Sequence, residues 1–407
     1  MDALNLVSHI VVFLSLYFEI FFLISYIGKK SSTSSLTPFT PGVTVLIPCF
    51  NEEKSVVGTI NSVLALDYPK EAMQIIVIDD GSTDNTYNQV LSHFKDNPIV
   101  EIYKKQNGGK FTALNFGIEK AKHNFIGSLD ADSYVETNSL KLIIEKFQDP
   151  LTMAVIPSTV IHNPKNIIQK AQRAEYNFGT FVRHVLSIIN SVYVTPGPFS
   201  FFRKEVFEKI GNYKHAHNTE DMEMALRMQQ ARFKIAHAPK AIIYTIGPDT
   251  VKKLYKQRVR WASGFMGNLR DYRSMFFKKK YGDLSLLVLP FITITTCAMI
   301  FFAFVTLWRF GNYIYDTVER TIIVGFSFEH IDPLNWFYMN TDSLSILAVF
   351  ILGYGILALI IGNKLTTGKA KFDFEFFYML LLYPIMYPFW VIKAAYNSLL
   401  SKTAPWR

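Results

Sequence analysis

Apolar residues recur along this chain in two rhythms. Four stretches stay apolar for about the thickness of a bilayer: LNLVSHIVVFLSLYFEIFFLISYI at 4–27, LSLLVLPFITITTCAMIFFAFVTLW at 284–308, SLSILAVFILGYGILALIIG at 343–362, and a run over 375–396 that holds Pro384 and Pro388. Roughly 20 apolar residues carry a helix across a membrane, so each stretch predicts a span. The prolines predict a kink in the fourth unless neighbouring helices compensate. Between 43 and 281 the rhythm shortens. VTVLIP (43–48), IIVIDD (75–80) and FIGSLDAD (125–132) are β-branched runs bounded by turn residues, the pattern of buried parallel strands. EKSVVGTINSVLAL (53–66) has helical spacing between the first two, which predicts a βαβ unit. FTALNFGIEKA and MEMALRMQQA also read as helical. The chain is therefore expected to be an α/β domain between membrane helices, with no internal repeat.

Charge orients this arrangement. Residue 2 is Asp, while Lys29 and Lys30 follow the first apolar run. A cleaved signal peptide would carry its charge before the run. The expectation is an anchor helix over 1–28 with the lysines on the cytoplasmic side. A Ser/Thr/Pro-rich linker covers 29–42, the α/β domain 43–250, interfacial amphipathic helices 251–281, and a C-terminal module of about three spans 282–407. The segment 363–374 carries Lys364, Lys369 and Lys371, whereas 309–342, read as a loop, has only Arg309 and Arg320 as basic residues; this places the first inside and the second outside. Of 407 residues, 50% are hydrophobic and 18% charged, which excludes a disordered or fibrous chain and disfavours a simple soluble enzyme. Cys49 and Cys297 form no metal or disulfide pattern. The net charge of +9 lies largely beside the spans, and no nucleic-acid motif accompanies it.

Three acidic clusters stand where a doubly wound sheet would bind a ligand, beyond the carboxyl ends of its strands. They are Asp79-Asp80-Gly81-Ser82, Asp130-Ala131-Asp132 and Thr219-Glu220-Asp221. On extended chain Asp130 and Asp132 would face one side. Two carboxylates there suit a divalent cation that completes its shell with phosphates; a solvated turn is the competing reading. Asn107-Gly108-Gly109-Lys110 could cradle phosphate with its amides and lysine, or be a plain loop before a helix. Gln257-Arg258-Val259-Arg260-Trp261 offers guanidinium groups for phosphate and an indole for a sugar face, although a basic aromatic helix lying on a membrane surface would read the same way. His9 and Glu19 fall inside the first span, where they would line a translocation path or make a polar contact between helices.

Taken in order, VTVLIPCFNEE (43–53), VIDDGSTDNT (77–86), SLDAD (128–132), TED (219–221) and QRVRW (257–261) resemble the family-2 processive membrane glycosyltransferases: the cellulose, chitin, hyaluronan and poly-β-1,6-N-acetylglucosamine synthases. The resemblance covers about 43–270 and the flanking spans. It implies a GT-A-type nucleotide-binding domain with a mostly parallel sheet and a helical transmembrane module. Pro48, Asn51 and Glu52 would enclose the base and ribose. Asp79 and Asp80 would contact the uridine and help hold the diphosphate, with Lys110 assisting. Asp130 and Asp132 would bind diphosphate and metal, Mg2+ or Mn2+. Asp221 would be the catalytic base, with Glu220 beside it at the substrate. Gln257, Arg258, Arg260 and Trp261 would hold the pyrophosphate and the acceptor end. In TPGPFSFFRK (195–204), Pro196 and Pro198 depart from the family's usual small residues, which bears on the acceptor pocket.

The resemblance implies an inverting, metal-dependent transfer from a UDP-sugar, first UDP-N-acetylglucosamine, to a growing β-linked polysaccharide that the enzyme's own spans would export. The enzyme would be a multi-pass plasma-membrane protein with its catalytic domain in the cytoplasm, in contact with membrane lipid and with room for a small accessory membrane subunit. A non-processive transferase acting on a lipid carrier is the alternative. A transporter, or a sensor with an inactive domain, fits less well, because the D-D, D-x-D and T-E-D sets are complete and the spans are few. The sequence leaves donor, linkage and oligomeric state open.

Overall fold

The computed structural model describes residues 3–28, 39–325 and 343–400. Residues 29–38 of the expected linker, with Lys29 and Lys30, lie outside the described residues, as do 326–342.

An eight-stranded sheet forms the centre of the domain. In chain order its strands are β1 (Val43–Cys49), β2 (Met73–Asp79), β3 (Val100–Lys104), β4 (Phe125–Ser128), β5 (Ser133–Val135), β6 (Thr152–Ile161), β7 (Phe201–Arg203) and β8 (Lys234–Thr245). Their spatial order is β3-β2-β1-β4-β7-β6-β8-β5. β3, β2, β1 and β4 are mutually parallel, with Cys49 paired to Asp79 and Leu46 to Ser128. β7 and β5 run antiparallel to their neighbours. Every residue of β1 and β2 is buried. Alternate side chains enter opposite layers: Val43, Val45 and Ile47 one, Leu46 the other. A central strand covered on both faces therefore reads as an unbroken apolar run. Pro48 lies beyond the end of the β4 pairing, opposite only Ile78 of β2.

The helices α2 (Val56–Leu64) and α3 (Thr86–Phe94) link β1 to β2 and β2 to β3 on one face. The crossover through α4 (Lys110–Lys120) returns on the other face to place β4 beside β1. Right-handed crossovers require this change of face when strand order reverses. The reversal opens a crevice at the carboxyl ends of β1, β2 and β4.

The second face carries α6 (Ile167–Ile188) and α8 (Glu220–Gln230), and here the long apolar helices dock. Among the described residues, four helices are long and apolar enough to cross a membrane: α1 (Ala3–Ile27), α10 (Leu289–Val324), α11 (Ser343–Thr367) and α12 (Glu375–Leu399). α11 and α12 pack on α6, and α12 also packs on α9 (Val251–Asp271). Phe18 of α1 stacks on Phe291 of α10. Arg173 of α6 grips Glu375 at the start of α12, with Nε to Oε2 at 2.6 Å.

Two expectations change. The segment 309–324 is not loop: α10 continues through Arg309, Asp316, Glu319 and Arg320 for 36 residues, about 54 Å at 1.5 Å per residue. Those polar residues lower hydropathy but are tolerated in a helix, so the apolar run ends before the helix does. The strand expected over 125–132 is β4 and stops at Ser128; residues 130–133 turn, with the Ser133 amide donating to the Asp130 carbonyl at 3.0 Å.

The contact of α11 with α6 is backbone on backbone at one point. A Cβ on Gly362 would lie 2.1 Å from the Asn177 carbonyl oxygen. Gly362→Val should therefore cost at least about 1–3 kcal/mol, read as a lower melting temperature in detergent. Gly353→Ala, where a Cβ would meet nothing within 4 Å, should leave the melt unchanged.

Candidate active site

The loop after β1 and the loop after β2 are stitched to each other. The Asn51 amide donates to Ser82 Oγ at 3.0 Å, and Asn51 Oδ1 accepts from the Thr83 amide at 2.9 Å. The Glu52 amide donates to Thr86 Oγ1 at 2.8 Å, and Glu53 accepts from the Asn85 amide at 3.1 Å. Asn51 holds φ 56°, a left-handed conformation that Asn tolerates better than most residues. The Glu52 carboxylate accepts from Ser55 Oγ at 2.7 Å. Asn51 and Glu52 thus shape the wall of the crevice at the end of β1.

Asp79 and Asp80 diverge. Asp80 is buried and accepts from Lys105 Nζ at 2.6 Å and from the amides of Gly108 and Gly109 at 3.2 and 2.9 Å. The glycine amides that could have cradled phosphate are thereby committed to this carboxylate. Asp79 Oδ1 accepts from the Ser82 amide at 3.3 Å, while its buried Oδ2 has no hydrogen-bond partner among the described residues. An unsatisfied buried carboxylate oxygen is costly, so this one is poised for a donor supplied by a ligand.

The remaining acidic groups meet at Lys110, the first residue of α4. Its ammonium pairs with Asp130 and lies 3.7 Å from Glu220. Burial alone would depress this lysine, but the charges of Asp130, Glu220 and Asp221 outweigh it and hold the group above the usual lysine range. Asp130 and Asp132 stand in the turn after β4 rather than on a strand face, so β alternation does not set their directions. The segment 195–200 closes over them. Thr195 donates through its amide and its hydroxyl to the Asp221 carbonyl, at 3.2 and 2.8 Å. A Cβ on Gly197 would lie 2.7 Å from Lys110 Nζ, so a larger residue here would have to displace the ammonium.

Asp221 lies in the first turn of α8, with Glu220 and Glu223. Burial and the adjoining Glu220 carboxylate push its carboxyl up to about 6, against the pull of Lys110, the Met222 amide and Arg260. The turn that presents it is strained: Ala216, His217 and Asn218 have φ 44°, 56° and 62° in succession. Helix α9 secures this turn. Asn268 Nδ2 donates to Thr219 Oγ1 at 2.8 Å, and His217 Nε2 meets Asp271 Oδ2 at 2.8 Å. Gly264 makes the close approach possible, since a Cβ there would lie 2.3 Å from Thr219 Oγ1.

The QRVRW residues divide around α9. Arg260 donates to the Asn218 carbonyl at 3.2 Å and acts on Asp221. Gln257 Oε1 is buried with no partner among the described residues. Trp261 is half-buried. Arg258 is engaged elsewhere, bidentate on Glu175 of α6 at 2.6 Å for both bonds. Sequence patterns missed Glu175, Tyr176 and Arg183 of α6 altogether. The Arg183 side chain lies along α6 over Gly179, its closest acceptor the Tyr176 carbonyl at 3.4 Å. No short motif marks such groups on a long amphipathic helix; a basic residue on a helix face otherwise buried is the one signal present.

Comparison with known proteins gives this geometry its class. The closest-fitting description is a GT-A-like glycosyltransferase fold: a mannosyltransferase from Pyrobaculum calidifontis, solved in complex with GDP-Man and Mn2+, superposes with a TM-score of 0.65 at 17% identity over 98% of each chain. More particularly, residues 44–211 match the model of Glycosyl transferase family 2. Poly-beta-1,6-N-acetyl-D-glucosamine synthase of Staphylococcus epidermidis is 32% identical over 265 residues, 64% of this chain and 63% of that protein. The synthase of Staphylococcus aureus strain COL is 33% identical over 245 residues, 59% and 58% respectively. The chain thus matches less than two thirds of the length of these curated relatives.

Gly264→Ala should push Thr219 and the TED turn off α9. The expected result is a melting temperature lowered by an overpacking penalty of about 1–3 kcal/mol and a loss of transfer activity larger than that penalty alone would produce.

Proposed function

We propose that this protein transfers N-acetylglucosamine from UDP-N-acetylglucosamine to a growing β-linked polysaccharide, with inversion at the anomeric carbon, and passes the product through its own membrane helices. The observation that carries the reading is the convergence of Asp130, Glu220 and Asp221 on Lys110, with Arg260 beside Asp221, at the open end of a family 2 domain. The similarity to poly-β-1,6-N-acetylglucosamine synthases supports the donor and the polymer.

In this mechanism the uridine lies against Pro48, Asn51, Glu52 and Asp79, whose free Oδ2 accepts a donor from the nucleotide. Asp80 acts one step back, by holding the Gly108–Gly109 turn that starts α4. Asp221 accepts the proton of the acceptor hydroxyl, and that oxygen forms the new bond to the anomeric carbon. The bond from that carbon to the diphosphate oxygen breaks, and its electron pair leaves with UDP. Lys110 and Arg260 face the charge that develops there, the place where fixed cations lower a barrier most. With a single base and no carboxylate nucleophile, displacement is direct.

Asp130 and Asp132 fit a divalent cation. Both offer hard oxygens from one four-residue turn, and Mg2+ or Mn2+ sites of this kind use one or two carboxylates with substrate phosphates. No group of three or more potential ligands exists among the described residues, as expected of a site that a diphosphate completes. When bound, such an ion would neutralise diphosphate charge. The domain faces the cytoplasm in this reading: Lys364, Lys369 and Lys371 stand at the end of α11 that packs against α6.

Asp221→Asn should lower turnover about 10²–10⁴-fold while UDP still binds, as measured by calorimetry on protein in nanodiscs. Loss of UDP binding in the same variant would remove the base assignment. Because the base must be ionised and its carboxyl lies near 6, the wild-type rate should climb with pH and level off above about 6. A rate that stays flat down to pH 4.5 would contradict the assignment.

A further inference from the structure

Arg258 is the second residue of QRVRW, yet its surroundings are not those of a phosphate ligand. Successive helical residues turn by about 100°, so Arg258 and Arg260 lie on nearly opposite sides of α9, while Gln257 and Trp261 fall between them. Arg260 faces the TED turn. Arg258 faces the junction of α6 and α12. There it makes its two 2.6 Å bonds to Glu175, and Tyr383 of α12 donates its hydroxyl to Glu175 Oε2 at 2.5 Å. Arg258 is 8% exposed, and its guanidinium carbon sits 4.6 Å from the centre of the Trp261 ring. The same group is 5.7 Å from the Tyr383 ring. Trp390, about two helical turns further along α12, packs edge-on to Tyr383 at 5.8 Å and against Val259 of α9.

A planar guanidinium held by two carboxylate bonds cannot rotate freely, so a ring packed against it is also held. The Arg258 guanidinium lies over the Trp261 ring. We infer that Arg258 is a positioning residue: with Glu175 and Tyr383 it fixes the plane of the Trp261 ring, so that membrane helix α12 sets where the terminal sugar of the acceptor rests. This deepens the proposed function and depends on it for the identity of the ligand; the mechanical link from Tyr383 to Trp261 does not. It also gives a reason for α9 to pack on a membrane helix instead of standing free: a helix that moves with the translocating chain would report its position directly to the indole.

The test uses the full chain in nanodiscs, labelled with fluorotryptophan, with the Trp261 fluorine resonance assigned through Trp261→Phe. Tyr383→Phe removes one hydroxyl and no volume. It should move the Trp261 resonance and raise the KM for an N-acetylglucosamine oligosaccharide acceptor by about tenfold, with UDP affinity unchanged. Arg258→Lys keeps the charge but loses the fork, and should do the same more strongly. A stationary Trp261 resonance in Tyr383→Phe overturns the inference, as does a moved resonance with an unchanged acceptor KM. UDP affinity lost in Arg258→Lys would put the guanidinium on the diphosphate and overturn it too. If the wild type transfers nothing from any UDP-sugar while the resonance still answers to Tyr383, the coupling stands and the transferase reading falls.

Discussion

One ammonium group answers to three carboxylates. Lys110 pairs with Asp130, approaches Glu220 and feels Asp221, and these come from α4, the turn after β4 and the start of α8. Without that cation the three acids would repel one another across the crevice. The surrounding chain is arranged to keep it there. Asp80 fixes the Gly108–Gly109 turn that launches α4, Gly197 leaves room for the ammonium, and Thr195 ties the covering segment to the Asp221 backbone. The cluster keeps a net negative charge, with one ammonium against three carboxylates.

The same site is built against the membrane module instead of beside it. α6 receives α11 at Gly362, α12 through Arg173 and Glu375, and α9 through Glu175 and Arg258. α9 in turn holds the TED turn through Asn268 and the close approach at Gly264. The apolar helices therefore have a short path to Asp221, through packed side chains and charge-assisted hydrogen bonds.

What could be read from the sequence follows from what periodicity encodes. β1 and β2 announced themselves because a strand covered on both faces needs an unbroken apolar run, and TED is found at a helix start as its spacing from MEMALRMQQA required. β5 and β7 have three residues each, too few for any period to show, and β8 alternates imperfectly around a register shift against β6. The D-x-D pair looked like strand because FIGSLDAD continues an apolar run, but pairing ends at Ser128 and the backbone turns. Contacts between distant helices leave no local trace, so nothing in QRVRW told Arg258 from Arg260 beyond their helical angle, and nothing marked Glu175. The apolar run stops short of the end of α10 because hydropathy measures affinity for lipid, not helix propensity.

What the protein makes bears most directly on its proposed function. Membranes containing it should be given radiolabelled UDP-N-acetylglucosamine, UDP-glucose and UDP-glucuronate, singly and in pairs, with Mg2+ or Mn2+, and the products sized and extracted with organic solvent. The prediction is large, water-phase material from UDP-N-acetylglucosamine alone. Label that stays small and partitions with lipid would contradict the polymerase reading and identify a transferase acting on a lipid carrier.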